Sequence, residues 1–516
     1  MKKIVPVFVA AALLFAVAAN AQMAVQLSIN ADAPGAVISK DIYGHFSEDL
    51  GRCIYDGFWV DPAMNVQKTG RIRMDVVNAL KKIKVPLLRW PGGCYADQYH
   101  WSDGIGEPSK RPKRINTNWG MVAEDNSFGT HEFLQLCDLI GCEPYIAGNV
   151  GSGTPQEMEN WIEYLNYDGN STLADLRRQN GHEKPYKVAF WGVGNESWGC
   201  GGNMTPEHYS DEYKRYATYC LNYPGAPLKK IASGSNGEDY NWTEVCMKNI
   251  RAGEMWGISM HYYTLATNNW AHKGAAVAFE ENEYFSAIKN CLHIEDLVVK
   301  HSAIMDKYDP QKRVALVVDE WGIWTDPEPG TNPGFLYQQN SMRDAIIAAS
   351  TLNIFNNHSD RVRVASLAQT VNVLQALILT DKEKMLLTPT YHVFDLYKVH
   401  QDATLLPLQF FSPDYSFGKE KIAAINASAS KDKDGAVHIS IVNADPHKAI
   451  KISAAMLGAA YKNVTGLVLT SGAFTDINTF DAPNKVKPAS FTDFKMDAGN
   501  LLVNMPPLSV VVLEIK

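Results

Sequence analysis

Eight short runs of largely apolar, often β-branched residues recur between residues 40 and 375, and each ends in turn residues and polar side chains. The intervals between them leave room for crossover helices, and two of these intervals, residues 130–141 and 205–222, carry a helical pattern. Eight strand-plus-helix units predict a (β/α)8 barrel of the TIM type, in which functional side chains gather at the C-terminal ends of the strands. The eight predicted strands lie within residues 40–48, 85–93, 143–153, 188–196, 229–236, 256–263, 313–322 and 361–372.

After about residue 400 the pattern changes to short alternating runs separated by Pro, Asn and Gly. This pattern predicts a C-terminal all-β sandwich, jelly-roll-like, over residues 401–516. Residues 22–39 alternate in the same way, and we expect them to add one or more strands to the sandwich. The barrel then takes residues 40–400.

The first 21 residues have the pattern of a secretory signal peptide. Lys2 and Lys3 precede an apolar stretch, and the small residues Ala19 and Ala21 form a cleavage site before Gln22. The pattern predicts export, to a periplasm or outside the cell. No later apolar run reaches the ~18 residues of a membrane span, so we expect no membrane partner.

The charge and the cysteine spacing argue against two classes of protein, those that bind nucleic acid and those that bind zinc. Lys and Arg number 48 against 56 Asp and Glu, a formal net charge of −8, which argues against nucleic acid as a partner. The eight cysteines contain no C-x-x-C pair, so the usual spacing of zinc ligands is absent. The sequence assigns no disulfide pairing.

Two glutamates follow strands of the predicted barrel. Glu196 ends the fourth strand, in "FWGVGNESWG", and Glu320 ends the seventh, in "LVVDEWG". Burying a carboxylate costs several kcal/mol of folding free energy unless the group is paired with a positive charge or serves in binding or catalysis. Either glutamate alone is explained equally well by an ion pair at the rim. A pair in matched positions is what glycosidic cleavage needs, because one carboxyl protonates the leaving oxygen and the other attacks the sugar or activates water.

Six motifs in order carry a definite family resemblance. They span residues 44 to 376 and resemble the α-L-arabinofuranosidases of glycoside hydrolase family 51, whose barrel-then-sandwich layout also agrees. The resemblance implies an exo-acting glycosidase that releases terminal α-L-arabinofuranosyl residues from hemicellulose, pectin or their oligosaccharides. It implies no metal or organic cofactor, and it suggests a homo-oligomer, often a hexamer. The motifs are "GHFSEDLGRCIYDGFWV", "LLRWPGGCYADQYHWSDGIG", "FWGVGNESWGCGG", "SMHYYT", "VDEWGIW" and "AQTVNVLQA".

The resemblance also implies a role for each matching residue. Glu320 becomes the nucleophile of a retaining mechanism and Glu196 the acid and later the base. Asn195 matches an asparagine that hydrogen-bonds the sugar 2-hydroxyl, and Arg89 matches an arginine near the nucleophile. Physical chemistry demands that Glu196 hold a proton, favoured by an apolar wall such as Trp191 or Trp198, and that Glu320 stay ionised beside a cation such as Arg89.

Four further residues complete the predicted pocket. Glu48 matches a carboxylate that holds sugar hydroxyls, Tyr263 a tyrosine beside the nucleophile, and Gln369 a sugar-contacting amide. Cys94 departs from the commoner asparagine after "PGG"; we expect it in the sugar pocket, as a weaker hydrogen-bonding group or bridged to another cysteine. His261 and Trp324 are expected just outside the sugar contacts, and His131 and His208 as ordinary helix residues.

Two other functions remain compatible with these residues. An endo-glucanase, an endo-xylanase or a β-xylosidase uses the same paired glutamates on the same scaffold. A closed, furanose-sized pocket favours the exo-enzyme, whereas an open groove favours an endo-enzyme. A non-catalytic carbohydrate-binding protein should lack one of the glutamates, and both are present.

Overall fold

The computed structural model describes residues 24–458, 463–497 and 499–516. The predicted signal peptide, residues 1–21, lies outside the described residues. Within them, no helix combines the length and the apolar character that a membrane crossing requires.

The predicted barrel is confirmed. All eight predicted strands form, and they close in chain order into one barrel of parallel strands, with the eighth paired to the first. We call them the first to eighth barrel strands: Gly44–Phe46, Leu87–Trp90, Glu143–Gly148, Phe190–Val193, Lys229–Asn236, Gly257–Thr264, Ala315–Ile323 and Val362–Ala368.

Helices cover the outside of the barrel. The predicted helix near residue 205 begins as expected, because Thr205 caps it by accepting a hydrogen bond from the backbone N–H of His208, and Pro206 lies in its first turn. It ends at Tyr219, three residues before the predicted end, where the chain turns toward Pro224. The α-helices are Met74–Lys82, Thr130–Ile140, Pro155–Asn166, Thr172–Gln179, Pro206–Tyr219, Tyr240–Asn249, Glu281–Leu292, Ile294–Tyr308, Met342–Asn357 and Pro389–Tyr397.

The C-terminal part forms two packed sheets. The N-terminal strand Val25–Asn30 joins one of them, parallel to Ile450–Leu457 and antiparallel to Leu408–Gln409. Residues 501–515 form one apolar run in the sequence, but the structure divides it into two strands at Pro506 and Pro507, because a proline lacks the N–H that a central strand donates. The first sheet holds Leu408–Gln409, Val25–Asn30, Ile450–Leu457, Asn500–Met505 and Phe494–Asp497; the second holds Thr404–Leu405, Ile425–Lys431, Val437–Asn443, Ser509–Ile515, Val464–Thr470 and Ala489–Ser490.

Four two-stranded hairpins of the described residues lie outside these sheets. Three belong to loops of the barrel, and one lies between the sandwich strands Leu408–Gln409 and Ile425–Lys431. They pair Lys68–Thr69 with Ile72–Arg73, Arg114–Asn116 with Val122–Glu124, Ile378–Asp381 with Lys384–Leu387, and Asp414–Phe417 with Glu420–Ala423.

One helix joins the barrel to the sandwich. Every residue of Met342–Asn357 except the last is buried, because the barrel covers one side and the sandwich the other. Its polar side chains find partners in the sandwich: Asn353 accepts a hydrogen bond from Ser440, and Asn357 donates to the carbonyl of Ala427. The sandwich therefore packs on the outer surface of the barrel.

Candidate active site

A cavity of about 270 Å3 opens at the C-terminal ends of the barrel strands. Six of the eight residues predicted for the site line it, namely Glu48, Cys94, Glu196, Tyr263, Glu320 and Gln369. The other two, Arg89 and Asn195, lie directly behind this lining, each only 1% exposed. The structure therefore brings together residues that are up to 321 positions apart in the chain.

Glu320 is held by a cation and a hydroxyl. Arg89 donates from Nη1 to Oε1 of Glu320 at 2.8 Å, and Tyr263 donates its hydroxyl to Oε2 at 2.8 Å. Burial and the charge of Glu196 raise the pKa of Glu320 above its usual value, although the charges of His261 and Arg89 act in the opposite direction. The carboxylate is thus oriented through both oxygens, and two positive charges favour its ionised form.

Glu196 occupies a turn that begins where the fourth barrel strand ends. Its φ of 40° lies in the left-handed region, which is uncommon for a residue with a side chain. The N–H groups of Gly199 and Gly201 donate to its carbonyl, at 2.7 and 3.1 Å, and close the turn. One carboxylate oxygen of Glu196 lies within 4.8 Å of one of Glu320. The two carboxyl groups therefore face each other across a single narrow gap.

His261 lies between three carboxylates. Its Nδ1 is 2.9 Å from Oε1 of Glu196 and 3.6 Å from Oε2 of Glu320, and its Nε2 is 3.0 Å from Oδ1 of Asp319. Burial alone would lower the pKa of His261, but the charges of Glu320 and Asp319 outweigh it and raise that pKa to about 10. The imidazolium form therefore donates from both nitrogens. His261 touches both glutamates directly.

Glu48 and Gln369 form one hydrogen-bonded unit. Gln369 accepts from the backbone N–H of Glu48 and donates to Oε2 of Glu48, each at 3.2 Å. The other oxygen of Glu48 accepts from the N–H of Tyr95 at 2.9 Å and from the indole of Trp119 at 2.8 Å. Burial raises the pKa of Glu48 to about 8, although these N–H groups oppose the rise.

Asn195 is positioned through two of its groups. Its Oδ1 accepts from Nη2 of Arg89 at 2.6 Å, and its backbone N–H donates to Oδ2 of Asp97 at 3.0 Å. Its Nδ2 is buried and has no hydrogen-bond partner among the described residues. A buried amide donor without a partner costs about 1–3 kcal/mol, so the site holds a donor that a ligand can satisfy.

Cys94 forms a disulfide bond with Cys200, which belongs to the turn after Glu196. Of the two possibilities for Cys94, a free hydrogen-bonding thiol and a bridged cysteine, the structure has the second. The other six cysteines are free in the part of the chain described.

Several residues of the site were missed in the sequence. Trp119 lines the cavity and anchors Glu48, and the buried Asp97 accepts from the backbone N–H groups of Val150, Gly151 and Asn195. Trp324, expected outside the sugar contacts, also lines the cavity. Asp319 could have been identified from the sequence, because it precedes Glu320 in "VVDEWG" and two adjacent acidic residues at the end of a buried strand need partners. Trp119 could not have been identified in this way, because the sequence of its loop has no recognisable pattern.

Two clusters have the composition of metal sites. Cys94, Glu196 and Cys200 form one, and Glu196, His261 and Glu320 form the other. In the first cluster the sulfurs of Cys94 and Cys200 are bonded to each other. In the second cluster both nitrogens of His261 face carboxylates and carry protons. In this state the disulfide sulfurs are not thiolates and the protonated histidine has no free lone pair, so neither set provides three metal ligands.

Family models match two regions of the chain. Residues 79–280 match the α-L-arabinofuranosidase 1 domain, and residues 319–509 match the α-L-arabinofuranosidase C-terminal domain. An intracellular exo-α-L-arabinofuranosidase of Bacteroides ovatus is 49% identical over 97% of both chains.

Solved structures agree with these matches. The family 51 arabinofuranosidase of Xanthomonas axonopodis pv. citri superposes with a TM-score of 0.94 at 47% identity, covering 96% of this chain and all of the other. An arabinose complex of the Thermotoga maritima α-L-arabinofuranosidase superposes with a TM-score of 0.81 at 32% identity, covering 95% and 99%.

The prediction of export is wrong by this comparison, and the comparison does not support the predicted signal peptide. The Bacteroides ovatus relative, matched over nearly its whole length, is named as intracellular. Two lysines, an apolar stretch and a small-x-small site form a local pattern, and such a pattern does not by itself decide where a protein acts.

Proposed function

The chain belongs to the α-L-arabinofuranosidases of glycoside hydrolase family 51, and from this we infer an exo-acting enzyme that removes terminal α-L-arabinofuranosyl residues with retention of configuration. Its substrates are arabinose-bearing hemicellulose or pectin and their oligosaccharides. The observation that carries the mechanism is the separation of Glu196 and Glu320, whose nearest carboxylate oxygens lie within 4.8 Å. Retaining enzymes place the two carboxyl groups about 5–5.5 Å apart, whereas inverting enzymes leave about 6.5–9.5 Å for a water molecule.

Glu320 acts as the nucleophile in this proposal. Its ionised form is favoured by Arg89 and by His261, and Tyr263 orients the oxygen that Arg89 does not hold. Glu320 attacks the anomeric carbon, the glycosidic bond breaks, and a covalent arabinosyl-enzyme forms. Glu196 gives its proton to the departing oxygen.

Glu196 then acts as the base. It takes a proton from water, which attacks the anomeric carbon and releases arabinose and Glu320. Two displacements at one carbon restore the original configuration. Asn195 offers its unpartnered Nδ2 proton to the sugar 2-hydroxyl, a contact that strengthens as positive charge develops on the ring. Glu48 and Gln369 hold other hydroxyls of the sugar.

The size of the cavity favours the exo-enzyme. Its volume of about 270 Å3 lies below the range of about 300–1,000 Å3 found for sites that enclose drug-sized ligands. A cavity of this size suits one pentose ring better than several rings of a polysaccharide backbone. The endo-glucanase and endo-xylanase alternatives are not favoured.

The deciding experiment is hydrolysis of 4-nitrophenyl glycosides with the anomer of the first product observed by proton NMR. We expect turnover of the α-L-arabinofuranoside, little or none of the β-D-xylopyranoside and β-D-glucopyranoside, and initial release of the α-anomer. Initial release of the β-anomer would overturn the retaining mechanism, and preferred xylopyranoside hydrolysis would overturn the substrate.

The resemblance also leads us to propose a homo-oligomer, with a hexamer as the expected size. Sedimentation velocity of the purified chain measures this directly. A monomer across micromolar concentrations would contradict it.

A further inference from the structure

The Cys94–Cys200 disulfide lies directly against Glu196. Sγ of Cys200 is 3.3 Å and Sγ of Cys94 3.7 Å from Oε2 of Glu196. Because a disulfide sulfur carries no proton, these are contacts and not hydrogen bonds. The other oxygen, Oε1, faces His261 at 2.9 Å. The disulfide therefore covers the carboxylate oxygen that His261 leaves free.

The turn that carries Glu196 needs support from outside. A residue with a side chain in the left-handed region is strained and persists only where its surroundings enforce it. Cys200, four residues after Glu196, attaches this turn covalently to Cys94 in the loop after the second barrel strand. Two rim segments that are 106 residues apart in sequence are thereby joined.

Cys94, the other half of the disulfide, lies between two residues that contact the carboxylate of Glu48. Gly93 lies so close to Glu48 that a Cβ on it would be 2.9 Å from Oε2. Tyr95, on the other side of Cys94, donates its N–H to Oε1 of Glu48. One covalent bond thus connects the turn of Glu196 to the turn that holds Glu48.

We propose that Cys94 and Cys200 are positioning residues for Glu196, and that their redox state controls how well the enzyme protonates its leaving group. This inference rests on the acid role proposed for Glu196. The disulfide holds the carboxyl toward the glycosidic oxygen and presents no competing proton. In the dithiol form the turn is released, and two S–H groups can donate to Oε2 in place of the substrate contact.

The redox step balances with a dithiol reductant such as dithiothreitol. Its thiolate attacks one sulfur to form a mixed disulfide, and its second thiolate closes the ring of the oxidised reductant. Two electrons and two protons pass to Cys94 and Cys200 as the S–S bond breaks. Cys200 is exposed, so the reductant has access. Five of the other six cysteines are buried and already free.

The test compares oxidised and dithiothreitol-reduced enzyme on aryl α-L-arabinofuranosides of increasing leaving-group pKa. Acid catalysis contributes about 10²–10⁴-fold for poor leaving groups. We expect reduction to lower kcat/KM by at least about tenfold for phenyl arabinofuranoside and to leave it unchanged for the 2,4-dinitrophenyl substrate. Titration of accessible thiols should rise by two, and reoxidation should restore the rate.

Three variants make the result decisive. The double variant Cys94→Ala with Cys200→Ala should behave like reduced enzyme and ignore dithiothreitol, while Cys142→Ser, which alters a free cysteine outside the pocket, should respond like the parent. An equal loss on all leaving groups, or no loss, would overturn the inference. Glu196→Ala separates the two proposals. If this variant loses the same activity on every leaving group, the acid role proposed for Glu196 fails. If the variant loses activity mainly on poor leaving groups and the reduced enzyme does not, only the role of the disulfide fails.

Discussion

Nδ1 of His261 lies 2.9 Å from Oε1 of Glu196, while Nε2 of the same ring lies 3.0 Å from Oδ1 of Asp319. The charged imidazolium therefore connects the proposed acid to a buried carboxylate that does not line the cavity. Its positive charge also lies 3.6 Å from Glu320. A single side chain thus orients Glu196 and helps to set the charge on Glu320.

Replacing His261 should change the pH profile. The charge of the imidazolium acts to lower the pKa of Glu320, so His261→Gln should raise that pKa, as removal of a nearby opposite charge does for a carboxyl group. Because the ionised form attacks, the acidic limb of kcat/KM should move to higher pH. His208→Gln, at an exposed helix position, is the control. An unmoved acidic limb in His261→Gln would contradict this electrostatic role.

The two glutamates should respond differently to removal. Glu320→Ala should abolish turnover of every substrate. Glu196→Ala should still form the arabinosyl-enzyme from substrates with very good leaving groups, because these need little protonation. Azide should then speed the second step and give an arabinosyl azide of retained configuration, identified by NMR. If azide gave the retained product with Glu320→Ala and the inverted one with Glu196→Ala, the assignment would be reversed.

Removing the amide of Asn195 should cost transition-state binding. Asn195→Ala loses one hydrogen bond to the sugar, so kcat/KM should fall by about 10- to 150-fold, equivalent to about 1.5–3 kcal/mol. The matched control is a 2-deoxy-arabinofuranoside, which has no hydroxyl for Nδ2 to meet. Parent and variant should differ much less on that substrate. An undiminished difference would mean that Asn195 acts through Arg89 and not through the sugar.

Gly93 should tolerate no side chain. A Cβ there would lie 2.9 and 3.0 Å from the two oxygens of Glu48, so Gly93→Ala should displace that carboxylate and lower kcat/KM by about tenfold or more, since small misplacements in a site are costly. Gly253→Ala is the control, because a methyl group at Gly253 would meet no other atom within 4 Å. Thermal unfolding of both variants separates a displaced Glu48 from a destabilised fold. Parent-like activity in Gly93→Ala would refute the prediction.

Much of the architecture could be predicted because it follows from local patterns. Each barrel strand is a short apolar run that ends in polar residues, and Thr205 begins its helix through contacts three residues away. The run 501–515 reads as one strand because its apolar residues continue across Pro506 and Pro507, and only the missing N–H groups divide it. The residues of the pocket followed from motif resemblance, which names positions without giving distances.

The sequence by itself determined the order of strands and helices, the pairing of Glu196 with Glu320 at one rim, and the family. Local periodicity and backbone chemistry act over a few residues, so they can be read along the chain. Only the tertiary structure decided that Cys94 bonds to Cys200, that Trp119 holds Glu48, and that His261 connects Glu196 to Asp319. Those contacts join segments between 58 and 106 residues apart, and the closure of the barrel, not any local preference, sets their distances.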